Sequence, residues 1–162
     1  MKQNTRLRYL TIAALWAAMI FLAVFLIKIP LVNGYANIGD ALIFTCALLL
    51  PTPYAMGAGA IGACIADIIS GYAVYAPFTF VIKAVMVLWF IPFKKAKVKW
   101  LRHWLPSLLA GLTGAALYFL TDTLLFGIGG GIASIPGNLG QCIVNCILYT
   151  AIAYILEYKF KK

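Results

Sequence analysis

Asp40, Asp67, Lys83 and Asp122 stand in stretches that are otherwise apolar, and so do Asn138, Gln141 and Asn145. An ammonium in hydrocarbon costs roughly 3 kcal/mol even on insertion scales, so Lys83 must face a protein interior or a wet cavity. Asp67, shortly upstream, is its expected partner. Asn138, Gln141 and Asn145 recur at i, i+3 and i+7, which puts three amides on one helix face. Tyr149 extends that stripe. Carboxylates, amides and one ammonium make a hydrogen-bonding set, not a catalytic one. The single histidine, His103, lies among Lys94, Lys95, Lys97, Lys99 and Arg102 and reads as a surface residue. Cys142 and Cys146 share a helical face, but no histidine or second carboxylate joins them, which argues against a metal site. With Cys46 and Cys64 they read as small buried apolar side chains. No catalytic residue, metal or cofactor is expected.

The surrounding sequence decides where these groups lie. Of 162 residues, 64% are hydrophobic and 10% charged, with a mean hydropathy of +0.98. That balance belongs to a polytopic membrane protein, expected as one integral-membrane domain over residues 1–162. The net charge of +9 is gathered in short clusters between apolar runs. Such clustering marks topology, not nucleic-acid binding. The first apolar run, residues 9–27, follows Lys2, Arg6 and Arg8, and no small-x-small cleavage site ends it. It reads as a retained transmembrane helix. Further spans are expected at about 76–93, 104–126 and 136–156.

Between Asp40 and Asp67 lies an uncharged stretch interrupted by Pro51 and Pro53. One kinked helix there gives five spans; two short helices give six. Six spans place the N-terminus, the 94–102 loop and the C-terminus on one side, with every basic residue except Lys28 and Lys83. Five spans violate the positive-inside rule. Two prolines one residue apart also suit a turn better than a helix interior. The expected fold is therefore an all-α membrane protein with six transmembrane helices, helices 2 and 3 short, and both termini cytoplasmic.

Depth then sorts the polar groups. Asp40 lies about one turn into helix 2, and Asp67 near the outer end of helix 3. Lys83 sits roughly 10 Å below the outer surface at about 1.5 Å per residue. Asp122 closes the outer end of helix 5, and the amide stripe occupies the outer half of helix 6. The cytoplasmic halves carry almost no such groups. One polar layer, open outward and closed below, describes an outward-facing pocket. Each member also has a structural reading. Asp67 and Lys83 suit an ion pair clamping helices 3 and 4. Asp40 suits a helix cap after Asn37. The amides suit interhelical hydrogen bonds, and Tyr35, Tyr72 and Tyr75 suit an interfacial belt. We take Asn37, Asp40, Asp67, Tyr75, Lys83, Asp122, Asn138, Gln141 and Asn145 as the candidate ligand-binding residues.

Two patterns of small residues remain. Gly127, Gly129, Gly130 and Gly131 are expected in an outer loop, as a flexible gate. In helix 1, Ala13 pairs with Ala17 and Ala14 with Ala18 at i, i+4, a face fit for close helix packing.

The combination resembles a known family. Alanine pairs early in helix 1, Asn37-x-Gly39-Asp40 opening helix 2, Asp67-x-x-x-Gly71 closing helix 3 and Tyr75-x-Pro77-x-Thr79-Phe80-x-x-Lys83 entering helix 4 look like the substrate-binding S component of an energy-coupling factor (ECF) vitamin transporter. The branch it resembles serves riboflavin, hydroxymethylpyrimidine and pyridoxine. The resemblance implies a subunit that captures a vitamin from outside and hydrolyses nothing itself. It implies docking on a transmembrane T component coupled to two ABC-type ATPase subunits, through Ala13, Ala14, Ala17 and Ala18. It also implies outer loops closing over the ligand, toppling in the bilayer for delivery, and residence in the bacterial cytoplasmic membrane.

Amides and tyrosines suit a flat nitrogen-containing ring. A vitamin B6 form or hydroxymethylpyrimidine is favoured, with riboflavin next. The rival reading is a stand-alone small secondary transporter or channel. It would call for polar groups through the cytoplasmic half, where Thr45 and Tyr149 are the only ones on hand.

Overall fold

The structure, a computed structural model, describes residues 2–160. α1 (Lys2–Leu26) carries apolar side chains around its circumference, as a helix surrounded by hydrocarbon does. It leads into a short hairpin that the sequence patterning did not suggest. β1 (Lys28–Pro30) and β2 (Tyr35–Asn37) pair antiparallel, with Ile29 opposite Ala36. The Leu31 N–H donates to Gly34 O at 3.1 Å, and Gly34 takes φ 92°, a left-handed conformation open to glycine. The architecture is thus helical with one β-hairpin inserted before the second helix.

α2 (Gly39–Leu49) and α3 (Thr52–Ile69) are separate helices. Pro53 falls in the first turn of α3, where a missing N–H costs nothing. α4 (Ala76–Leu88) likewise opens with Pro77 and stops well short of the expected residue 93. α1, α3 and the Lys99–Lys159 run are long and apolar enough to cross a membrane. α2 and α4 are shorter, about 17 and about 20 Å at the helical rise, so the short pair is α2 and α4 and not α2 and α3.

The helical run Lys99–Phe160 is broken once, at Gly127, whose φ 77° and ψ 175° lie outside the helical region. We name its halves α5 (99–126) and α6 (128–160). They fold back on each other. A Cβ on Gly131 would come within 3.1 Å of Phe119 O, and His103 reaches Glu157 across the pair at 2.9 Å. The glycine run is therefore not an open loop: Gly127 alone makes the turn, and Gly129, Gly130 and Gly131 lie in the first turns of α6. Pro136, the expected helix start, lies inside α6.

Small residues set the packing. Ala55, Ala58, Gly59, Gly62, Ala63 and Ala66 form the buried face of α3. A Cβ on Gly62 would sit 2.5 Å from the carbonyl oxygen of Ala17, and one on Gly59 would sit 3.0 Å from Ile43. α1 and α2 thus approach the α3 backbone directly. Phe44, Phe90 and Tyr149 meet below with ring centroids 5.4 to 5.8 Å apart, at the centre of the apolar core. Outer faces stay apolar, with Leu22, Ile65, Phe80, Leu124 and Ile147 exposed.

His103 is a correction. It is fully buried in α5, not a surface residue, and lies between Tyr149 OH (3.3 Å) and Glu157 Oε1 (2.9 Å). Arg102 and Lys99 reach the same carboxylate at 3.2 and 3.6 Å. Nearby, Lys94 Nζ donates to Leu50 O at 2.6 Å, tying the loop after α4 to the α2–α3 turn. Burial there holds its ammonium below the usual lysine pKa.

Gly62→Ala is expected to lower the thermal midpoint in detergent by several degrees, because its methyl meets backbone. Gly140→Ala, which meets nothing within 4 Å, is expected to raise stability by up to about 1 kcal/mol through helix propensity.

Candidate ligand-binding site

Under the β1–β2 hairpin lies a cavity of about 40 Å³. The hairpin supplies Asn33, Tyr35 and Asn37 to it, and α3 supplies Asp67 from its last turn. Tyr72, Tyr75 and Thr79 enter from the α3–α4 turn and the start of α4. Tyr118 and Asp122 come from α5, and Asn138 and Gln141 from α6. A smaller void of about 10 Å³ sits below, bounded by Asp40, Lys83, Tyr118, Asn138 and Gln141. The two spaces share Tyr118, Asn138 and Gln141. The expected polar layer is thus assembled by every helix except α1.

The pairing inside the layer differs from the expected one. Lys83, 2% exposed, pairs with Asp40 at 2.6 Å and not with Asp67. Its Nζ lies 5.1 Å from the centre of the Tyr118 ring. Asp40 lies one position inside α2 and makes no cap. Ile38 is the N-cap residue, and the Asn37 side chain instead takes the Gly39 N–H at 2.9 Å. Asp67 accepts from Tyr35 OH at 2.5 Å, and Asp122 from Tyr75 OH at 2.5 Å. The tyrosines therefore do more than form a belt. Tyr35, Tyr72 and Tyr75 follow one another at 5.0 and 6.3 Å and roof the cavity, and Phe126 packs beside Tyr75 at 6.3 Å.

The amide stripe divides by role. Gln141 accepts from Asn37 N–H at 3.0 Å and donates to Asp40 Oδ2 at 2.8 Å. Asn145 lines neither space. Its Oδ1 takes the Ala41 N–H at 2.8 Å, and its Nδ2 donates to Asn37 O and Gln141 O at 2.8 and 2.9 Å. It satisfies the first turn of α2 from another helix, which a helix start away from water requires. Asn138 faces both spaces with no protein hydrogen-bond partner among the described residues. Thr79 and Tyr118, neither among the candidate ligand-binding residues, join at 3.0 Å on the cavity wall. Their spacing held the signal. Thr79 stands four residues before Lys83 and Tyr118 four before Asp122, each pair on one helix face.

A second concavity of about 550 Å³ runs along α1 and α3 on the outer surface. Ala13, Ala14, Ala17 and Ala18 line one side, and Tyr54, Gly57, Ala58, Ile61 and Gly62 the other. It is almost wholly apolar.

Residues 4–158 match the family model for the S component of the ECF-type riboflavin transporter. The chain belongs to that family. This S component is a membrane-integral transport protein for vitamin uptake, and its family is one of transporters, not enzymes. Among curated relatives, it is 34% identical to an uncharacterised protein of Pyrococcus woesei over 134 residues, 81% of this chain and 88% of that protein. It is 28% identical to the thiamine precursor transporter HmpT of Lactococcus lactis subsp. cremoris over 157 residues, 95% of this chain and 90% of that protein.

Lys83→Met strands the buried Asp40 charge and is expected to destabilise this S component by about 3–5 kcal/mol, read as denaturant unfolding in detergent. Adding Asp40→Asn to that variant is expected to restore at least half of the loss. Asn138→Ala is expected to stay within about 0.5 kcal/mol of the parent protein.

Proposed function

We propose that this chain is the substrate-capturing subunit of an ATP-driven ECF importer, taking up a small aromatic vitamin or precursor from outside the cell. The observation that carries the reading is the polar cavity under a tyrosine roof and above an apolar floor. Asn37, Asp67, Tyr75, Asp122, Asn138 and Gln141 would meet the ligand. Asp40 and Lys83 would hold the bottom of the site, and Asn145 would hold α2 in place behind it. A vitamin B6 form or hydroxymethylpyrimidine is favoured over riboflavin. The likeness to a thiamine precursor transporter supports a single ring.

In this reading the protein spans the bacterial cytoplasmic membrane six times with both termini inside, as the clustered basic residues favour. The apolar groove between α1 and α3 would seat the transmembrane T component, which couples to two ABC-type ATPase subunits. Small residues at such a face let another helix approach closely. Lipid covers the remaining apolar surface.

The first test is mass spectrometry of the small molecule released from protein purified out of rich medium, followed by calorimetric titration of that compound. A stoichiometric pyridine or pyrimidine is the expected result. Ala14→Trp, on the exposed wall of the groove, is expected to leave that titration unchanged and abolish uptake by cells carrying the complete transporter. Uptake by the purified chain alone in liposomes would refute the reading in favour of a stand-alone carrier.

A further inference from the structure

The smaller space below the cavity has two unlike walls. Asp40, Lys83, Asn138 and Gln141 stand on one side, and Met86 and Cys142 on the other. Two glycines of α5 let the sulfur atoms close that second wall. A Cβ on Gly111 would strike Cys142 Sγ, and one on Gly114 would come within 3.0 Å of Met86 Sδ. Asp40, Lys83, Met86 and Cys142 are all buried. What remains is about 10 Å³, close to the least room that one water molecule needs.

The protein alone does not satisfy the polar wall. The Lys83 ammonium carries three N–H groups. Asp40 Oδ1 at 2.6 Å takes one, and the Tyr118 ring, 5.1 Å from Nζ, offers its face to a second. Asp67 acts on the ammonium only as a more distant charge. Among the described residues, no further acceptor stands in hydrogen-bonding position to Nζ, and no further donor to Asp40 Oδ1. Gln141 spends its amide on the other Asp40 oxygen and on Asn37 N–H. Asn138 spends nothing on the protein. A buried polar group in that condition calls for a partner.

We propose that this space is a binding site for one ordered water molecule, held between Lys83 and Asn138. The ammonium donates to the water oxygen. The water then has both hydrogens to give, one to Asn138 Oδ1 and one to Asp40 Oδ1. Three such bonds are what a buried water ordinarily makes. A cation there would face the ammonium and an anion would face Asp40, so a neutral molecule suits the site. Asn138 also lines the upper cavity. The water therefore links the buried ion pair to the upper floor, and Lys83 acts there as a positioning residue through it. The inference goes beyond the capture reading and holds whatever compound the upper cavity takes.

The test is a high-resolution crystal structure of the full chain, grown from lipid with no vitamin added. A density peak is expected within about 2.6–3.2 Å of both Lys83 Nζ and the Asn138 amide. The peak is expected to be lost in the Lys83→Met, Asp40→Leu double variant, which removes its strongest donor and one acceptor. Should that variant fail to fold, radiolytic labelling of the parent protein supplies a second measurement. Radicals made from a bound water oxidise the sulfur atoms beside it. Cys142 and Met86 line the space, whereas Cys46 is equally buried and does not. Oxidation is expected at Cys142 and Met86 and not at Cys46. A parent structure with no peak, a space filled by the Met86 side chain, a peak that survives in the double variant, or an unlabelled Cys142 and Met86 overturns the assignment.

Discussion

The buried pair between Lys83 and Asp40 is the constraint from which much of the structure follows. An ammonium at this depth is tolerable only beside an opposite charge with good geometry. Asp40 must therefore sit at the level of Lys83, which fixes where α2 begins and how far the chain travels after α1 before entering it. The β1–β2 hairpin fills that interval and becomes the roof of the cavity. Gln141 takes the second oxygen of Asp40 and so sets the rotation of α6. With α6 so turned, Asn138 faces the cavity and Asn145 reaches the first turn of α2.

Burial thus joins two jobs that look alike in the sequence. Short helices that start inside the layer leave N–H groups without water, and a neighbouring helix has to supply the acceptor. Asn145 and Gln141 do this for the segment around Asn37 and Ala41. Their amides hold the site together from behind, while Asn138, one turn away, keeps its amide free. The distinction lies in which partner each amide meets. Burial does not make it, since all three residues lie in or next to the same wall.

Much of this was legible in the sequence because membrane chemistry is restrictive. Few polar groups are tolerated in apolar spans, so their positions along each helix gave the layer. The proline interruption with the basic clusters gave separate α2 and α3 helices. Partnerships were less legible. Asp67 is nearer to Lys83 in sequence, but the hairpin brings Tyr35 onto Asp67 and leaves Asp40 for Lys83. Two three-residue strands carry no periodicity to detect. Composition alone suggests a loop at the glycine run, although one glycine at positive φ suffices for the reversal. His103 follows a basic cluster, and its burial goes with a contact to Glu157, 54 positions later in the chain.

On the capture reading, energetics say which side of the cavity yields first. The hairpin is held to the helices by Lys28 on Ser70, Tyr35 on Asp67 and Asn33 on Gly130, and by Gln141 and Asn145 on the Asn37 backbone. Such bonds contribute about 1 kcal/mol each, somewhat more with a charged partner, so releasing the roof costs on the order of 5–8 kcal/mol. The floor is different. Opening it means withdrawing Phe44, Phe90 and Tyr149 from full burial, at about 1.5–3 kcal/mol each. It also disturbs the Lys83–Asp40 pair, whose rupture adds about 3–5 kcal/mol. The floor therefore resists more than the roof. On that reading a ligand would enter and leave through the hairpin side and not through the core. Delivery to the opposite side would then call for the whole body to reorient against a partner, as the proposed docking on a T component supplies. The broad apolar concavity floored by small residues of α1 and α3 would be the surface for that contact.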